Sequence, residues 1–338
     1  MKPRMLTPAR FARALAAYGT LAAAVVLLAP LFGAEPLSFR AILDAVLGRG
    51  GSVDAEIFLL QRLPRVFLAF LVGGSLAVSG AALQLVLKHS LAEPFILGIA
   101  GGGAVGAVTA ISVPALMISI GPFTSVHLFT LAGCLACMAA IYRLASGDYG
   151  VSMNTILLAG VTFNVLCGAM IMLLRYLVSP HLLVAMDRWM MGGLDVVGYR
   201  ELAGLLPFAL PGLFLLFRHS GALNQLAFGE ELAAGHGVDV AVVHKQVFLG
   251  TGLATAAAVT MAGPIGFVGL VVPHAVRRIS GQDQRLVLPA SFLLGGGFLT
   301  LCDLCARTVV APTEMPVGII TAMIGGPVFL RILFKSRN

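Results

Sequence analysis

Charge is what this 338-residue chain has least of: Asp, Glu, Lys and Arg together supply 11% of it. No polar block of domain length separates the apolar runs, so no soluble domain is expected beside them. Lysine is scarcer still. Lys2, Lys88, Lys245 and Lys335 are the only four, and none completes G-x-x-x-x-G-K-[ST], which excludes nucleotide hydrolysis through a P-loop in this chain. Acids are missing altogether from 66–87, 94–142, 149–174 and 246–276. Ion-coupled carriers place ionisable groups at membrane depth as ion or proton relays, and these stretches offer no carboxylate for that role. Asp303 lies within an expected span, with Arg307 four residues on. The pair reads as a local salt bridge, and proton coupling through Asp303 is the alternative it leaves open. No Ser-His-Asp or paired-carboxylate arrangement stands out.

The five cysteines, Cys134, Cys137, Cys167, Cys302 and Cys305, all fall inside apolar runs and define no disulfide framework. Cys134-x-x-Cys137 and Cys302-x-x-Cys305 imitate a four-cysteine zinc site. Thiolates are costly in an apolar span, however, and buried cysteine behaves as a small hydrophobe. No metal or cofactor is expected on this chain.

What the chain has in abundance is hydrophobic surface. Apolar residues make up 59% and the mean hydropathy is +0.97. This describes one polytopic, all-α integral membrane domain over 1–338. The net charge of +7 belongs to short loops and so to membrane topology rather than to nucleic-acid binding.

The stretch 61–106 sets the pattern: two arginines, a charge-free run over 66–87, a polar turn from Lys88 to Pro94, then a glycine-studded apolar run. Gly98, Gly102 and Gly106 recur every fourth residue as a close-packing stripe. Gly101, Gly103 and Gly106 also satisfy G-x-G-x-x-G, but no strand precedes them, and helix packing is the reading taken.

Charge-free runs and breakers predict ten spans. They lie near 14–34, 66–87, two within 94–142 broken at Pro114 and Gly121-Pro122, 151–174, 199–217, two within 246–276 broken at Gly263-Pro264, 286–306 and 315–333. A charged outer loop fills 35–61, and an amphipathic segment with Trp189 links the fifth and sixth spans. Residues 1–34 look like a signal peptide but lack a clear cleavage site, so a retained first helix is expected. With both termini cytoplasmic, 14 of the 22 basic residues lie inside, a bias that favours this orientation, while the arginines left outside break the positive-inside rule and need a reason of their own. Met170, Met172, Met186, Met190 and Met191 read as packing, with an adaptable pathway lining as the alternative.

The longest polar insertion, about 218–245, contains two short amphipathic pieces, Leu223 to Phe228 and Glu230 to Ala234. Gly235 and Gly237 break the helix there, and Asp239 is placed to cap the next one. Such a segment is either a solvated linker or a docking surface for a soluble partner.

These residues resemble a known family. RLPR at 62–65, LVGGSLAVSGAALQ at 71–84, LAEPFILG at 91–98, GEELAAGHGV at 229–238, GPIGFVGLVVPH at 263–274 and APTEMPVGIITAMIGGPVFL at 311–330 are similar to the FecCD/BtuC-type permeases. These are membrane subunits of type II ABC importers for iron-siderophores, haem and vitamin B12. The resemblance covers nearly the whole chain. It implies a BtuC-like fold of about ten transmembrane helices in a bacterial inner membrane and a homodimer or pseudo-dimer of permeases. It further implies two ABC ATPase subunits carrying ATP-Mg and a periplasmic or extracellular substrate-binding protein. Iron-siderophore or haem is the implied cargo, cobalamin the alternative.

By the same resemblance Arg62, Arg65 and Arg307 dock the binding protein. Gly229, Glu230, Glu231, Ala233 and Gly237 belong to the coupling helices that meet the ATPase. His89, Ser90, Leu91, Met153 and Asn154 fall in the cytoplasmic gate loops. Two departures bear on geometry: His89-Ser90 stands where the family has Asn-Pro, and His236 where an apolar residue is common.

Overall fold

A computed structural model describes residues 7–33, 37–38, 52–95, 97–116, 118–147 and 150–336. Lys2, Arg4, Arg40, Asp44, Arg49, Asp148 and Arg337 lie outside the described residues. The helices are α1 (Pro8–Leu28), α2 (Leu63–Val86), α3 (Ile99–Ser112), α4 (Ser125–Ala145), α5 (Met153–Leu177), α6 (Pro180–Met190) and α7 (Arg200–Arg218). They continue with α8 (Ser220–Leu226), α9 (Glu230–Gly235), α10 (Val240–Ala262), α11 (Val268–Ser280), α12 (Gln284–Thr308) and α13 (Val317–Ser336).

Ten of these correspond to the ten expected spans, and among the described residues seven helices are long and apolar enough to cross a membrane. The breakers act where expected. Gly121-Pro122 forms the tip of a two-residue-per-strand hairpin, Ser119 opposite Thr124 and Ile120 opposite Phe123, which turns α3 into α4. Gly263 ends α10 at φ +66, a left-handed conformation that glycine adopts without penalty. A Cβ there would also lie 2.7 Å from the Trp189 carbonyl oxygen.

Several boundaries differ from the sequence reading because caps, not charges, end helices. The second span does not begin at 66. A one-turn helix Val53–Glu56 and a π-helical stretch Ile57–Arg62 run directly into α2, started by Ser52, whose side chain accepts the Ala55 N–H at 3.3 Å. Part of the expected outer loop is therefore helical. Likewise α10 starts at Val240 rather than 246, because the Asp239 carboxylate accepts the Val242 N–H at 3.1 Å. This shortens the polar insertion to about 219–239. The segment expected to link the fifth and sixth spans contains a full helix, α6.

Helix α2 is the axis of the molecule. It packs against α12, α10, α11 and α7, and most of its side chains are buried. Small residues make this possible. A Cβ on Gly295 of α12 would stand 2.7 Å from the Gly73 carbonyl oxygen, so the two backbones meet directly. The glycine stripe of α3 does the same against α4, where a Cβ on Gly102 would fall 2.6 Å from the Gly133 oxygen. The outward face of α5 is bare by contrast, with Leu158, Val165, Met172 and Tyr176 strongly exposed.

Candidate functional site

Two polar assemblies stand at opposite ends of α2. At its start, three arginines come together with three carboxylates. Arg65 donates from Nε to Asp303 Oδ1 at 2.9 Å and from Nη1 to Glu314 Oε2 at 2.6 Å, and its Nη1 lies 3.9 Å from Asp195 Oδ1. Arg307 Nε lies 3.2 Å from Asp303 Oδ2, an ion pair that is not aligned as a hydrogen bond. Asp303 itself is 0% exposed.

Arg62 and Arg307 also reach the end of α1. Arg62 Nη1 donates to the carbonyl oxygens of Pro30 and Leu31 at 3.3 and 3.4 Å, and Arg307 donates to those of Phe32 and Ala29, each at 3.4 Å. Those carbonyls lie at the C-terminal end of the helix, where its dipole is negative, which suits a cation; the Ala29 oxygen also accepts the Phe32 N–H at 3.3 Å. Gly33 admits this packing, since a Cβ there would lie 2.7 Å from Arg62 Nη2. Arg62, Arg65 and Arg307 are thus brought together, and all three are buried. What faces outward is Glu314 and Asp195, with side chains 42% and 53% exposed. The Asp303–Arg307 salt bridge expected from the spacing is present, with Arg65 as a third member.

At the far end of α2 the chain turns at Lys88, which holds φ +48. His89, Ser90 and Leu91 follow in the turn. The Leu91 N–H donates to His89 Nδ1 at 3.3 Å, so the ring nitrogen closes the turn as an Asn side chain would. The loop then climbs back into the bundle, tied by Asn164 Nδ2 to the Phe95 oxygen at 2.7 Å and by Cys137 Sγ to the Gly98 oxygen at 3.2 Å. Glu93, half-buried in this loop outside the helices, accepts the backbone N–H of Phe267, and burial pushes its carboxyl up to about 7. Met153, at the start of α5, packs against the cores on both sides, while Asn154 is exposed.

Next to this loop lie α8 and α9. Gly229, at φ +128, separates them, and Gly237, at φ +83, ends the second. Ala233 is fully buried and anchors α9, while Glu230 and Glu231 are exposed. Lys88 Nζ lies 3.5 Å from Glu230 Oε1, a direct contact between the turn after α2 and α9. His236, at the C-cap of α9, donates from Nδ1 to the Leu232 oxygen at 2.7 Å and so satisfies a carbonyl of the last turn.

Asn224 of α8 is fastened to the start of α12. Its Nδ2 donates to Asp283 Oδ1, and its Oδ1 accepts the Gln284 N–H, each at 2.6 Å. Burial alone would raise the Asp283 carboxyl, but hydrogen bonds from Arg285 and Asn224 hold it below the usual carboxylate range.

Several participants escaped the sequence. Glu314, Asp195 and Asn224 gave no local signal, being single polar residues in turns and short helices. Phe228 and Leu232, 79% and 58% exposed beside α9, are apolar where a solvated linker would be polar. The two Cys-x-x-Cys pairs lie on different helices: Cys134 and Cys137 of α4 pack on the α3 glycines, and Cys302 sits buried in α12. Among the described residues no group of three or more His, Cys, Asp or Glu is placed to hold a metal ion.

Comparison with known proteins agrees with this two-ended bundle. The chain is 40% identical over 300 residues to the Bacillus subtilis ABC transporter permease protein YvrB, covering 86% of this chain and 84% of that one. It is 42% identical over 272 residues to the cobalamin import system permease protein BtuC of Halobacterium salinarum, covering 80% and 72%. It is 37% identical over 308 residues to the hemin transport system permease protein HmuU of Yersinia pestis, covering 90% of each. A solved inward-facing structure of a metal-chelate type ABC transporter superposes with a TM-score of 0.84 at 27% identity, over 95% of this chain and 98% of that one. The FecCD transport family matches residues 21–335. A multi-pass bundle that lacks a P-loop, aligns almost end to end with ABC importer permeases and carries this family's pattern through nearly its whole length belongs to the FecCD transport family.

Proposed function

We propose that this permease carries a bulky metal chelate, an iron-siderophore or haem, inward across a bacterial inner membrane as one of two copies in an ATP-driven importer. The observation that carries the reading is the separation of two assemblies by a charge-poor axis. An arginine and carboxylate cluster stands at the start of α2, and an α8–α9 pair touches the turn at its other end. In this reading the first faces outside and receives the substrate-binding protein through Arg62, Arg65 and Arg307. The second faces the cytoplasm with both termini and engages two separate ATPase subunits, which hold ATP-Mg. The exposed Phe228 and Leu232 supply apolar contact there, and Gly229, Glu230, Glu231, Ala233 and Gly237 shape the surface. The bare face of α5 is turned to the second copy or to the pathway between copies.

Motion of α9 would reach the gate through Lys88 and the turn of His89, Ser90 and Leu91, with Met153 and Asn154 completing the constriction. The hemin transport relative and the metal-chelate structure support the cargo class. Cobalamin is the second reading, favoured by the 42% identity to the Halobacterium permease. Uptake into vesicles holding this chain with its ATPase, comparing labelled ferric siderophores, haem and cobalamin, tests both. ATP-dependent accumulation of one chelate is expected. Uphill uptake by this chain alone, without a nucleotide-hydrolysing partner, would overturn the reading.

A further inference from the structure

The guanidinium of Arg65 serves two carboxylates on opposite sides. Its inner arm, Nε, is held by Asp303, which is fully buried in α12 and also paired with Arg307. Nothing from outside can reach that contact. Its outer arm, Nη1, is held by Glu314 at 2.6 Å. Glu314 belongs to the turn between α12 and α13, and its side chain, 42% exposed, can swing into water without unfolding anything. The turn itself stays put, because the Met315 N–H donates to the Ala306 oxygen at 3.1 Å. Asp195 adds a second carboxylate near the same Nη1 and is tied outward to Arg188 at 2.9 Å. An acidic partner approaching Arg65 therefore meets two carboxylates before it meets the cation.

We propose that Glu314 is a placeholder for a carboxylate of the substrate-binding protein: it occupies the outer arm of Arg65 and is exchanged for the partner's acid on docking. This rests on the reading that these arginines receive the binding protein. Docking then swaps one charge-assisted hydrogen bond for another of equal kind, so net affinity is a difference between two similar interactions. A partner lacking a carboxylate at that position displaces nothing and is rejected, which turns the contact into a specificity filter. Asp303 positions the guanidinium throughout the exchange and keeps Arg65 from following its outer ligand.

The test measures association of the full transporter, reconstituted with its ATPase in nanodiscs, with the substrate-binding protein that co-purifies with it. Glu314→Gln is expected to tighten binding roughly tenfold, with a faster association rate at low ionic strength. Asp187→Asn makes the same charge change away from Arg65 and is expected to leave affinity nearly unchanged. Arg65→Lys keeps a cation beside Asp303, so the fold survives, but loses the two-armed fork and is expected to weaken binding. Equal tightening by Glu314→Gln and Asp187→Asn would mean a diffuse field and overturn the placeholder. Weakening by Arg65→Lys with no gain from Glu314→Gln would overturn it too, while leaving the docking reading in place. If neither variant changes affinity, docking at these arginines falls and the placeholder with it.

Discussion

Replacing Asp303 by asparagine removes the one buried anion that two arginines share. Two unit charges about 3 Å apart interact by roughly 5 kcal/mol at an effective dielectric of about 20, and Asp303 has such contacts at 2.9 and 3.2 Å. Desolvation of the carboxylate offsets much of that gain, so the net loss is read from broken buried pairs, about 3–5 kcal/mol. Asparagine keeps an oxygen that can accept from Arg65 Nε, which places Asp303→Asn near the lower end, about 3 kcal/mol. The chain provides its own reporter. Cys134, Cys137, Cys167 and Cys302 are buried and become reactive to a thiol dye only on unfolding, once exposed Cys305 is replaced by serine. A lower unfolding temperature is expected for Asp303→Asn, partly restored by adding Arg307→Met, because removing both partners leaves less uncompensated charge. Stability within about 0.5 kcal/mol of wild type would refute the buried charge triad. Uptake supplies the second readout: a folded Asp303→Asn importer keeps ATP-driven transport, whereas a stable variant that has lost all uptake would point to proton coupling through Asp303.

Three further outcomes are expected. Gly102→Val should destabilise by about 1–3 kcal/mol in the same thiol-dye assay, because its Cβ would fall 2.6 Å from the Gly133 oxygen. Unchanged stability would mean α3 and α4 are not in backbone contact. Lys88→Glu should lower uptake while costing under about 1 kcal/mol of stability, as expected of an exposed pair. Restoration of uptake by adding Glu230→Lys would confirm that the contact, rather than either charge, matters. Glu93, with its carboxyl pushed up to about 7, is an acid whose folded value exceeds the ordinary one of about 4.3. The fold therefore loses stability as pH rises from about 5 to 8, by on the order of 3 kcal/mol, and Glu93→Gln should flatten that slope. An identical pH profile in the variant would remove Glu93 as the cause.

Composition and breakers were enough to determine the class of this protein. Charge-free runs long enough to cross a bilayer can only be helices there, and Gly121-Pro122 and Gly263-Pro264 separate paired helices where the chain must turn. The glycine stripe of Gly98, Gly102 and Gly106 forecast close packing because its spacing repeats once per helical turn. Helix ends were less legible. Charges at Glu56 and Arg62 interrupt an apolar run without interrupting a helix, and only the Ser52 cap shows where it begins.

The tertiary structure alone decided what the polar residues do. Sequence placed Arg62, Arg65 and Arg307 at one end of the molecule, but their burial, and the outward position of Glu314 and Asp195, depend on segments far apart in the chain that packing brings together. Lys88 and Glu230 meet for the same reason. Local pattern sets helices because backbone hydrogen bonds are local. Pairing of charges across helices is set by which faces pack, and it leaves no periodic trace in any one segment.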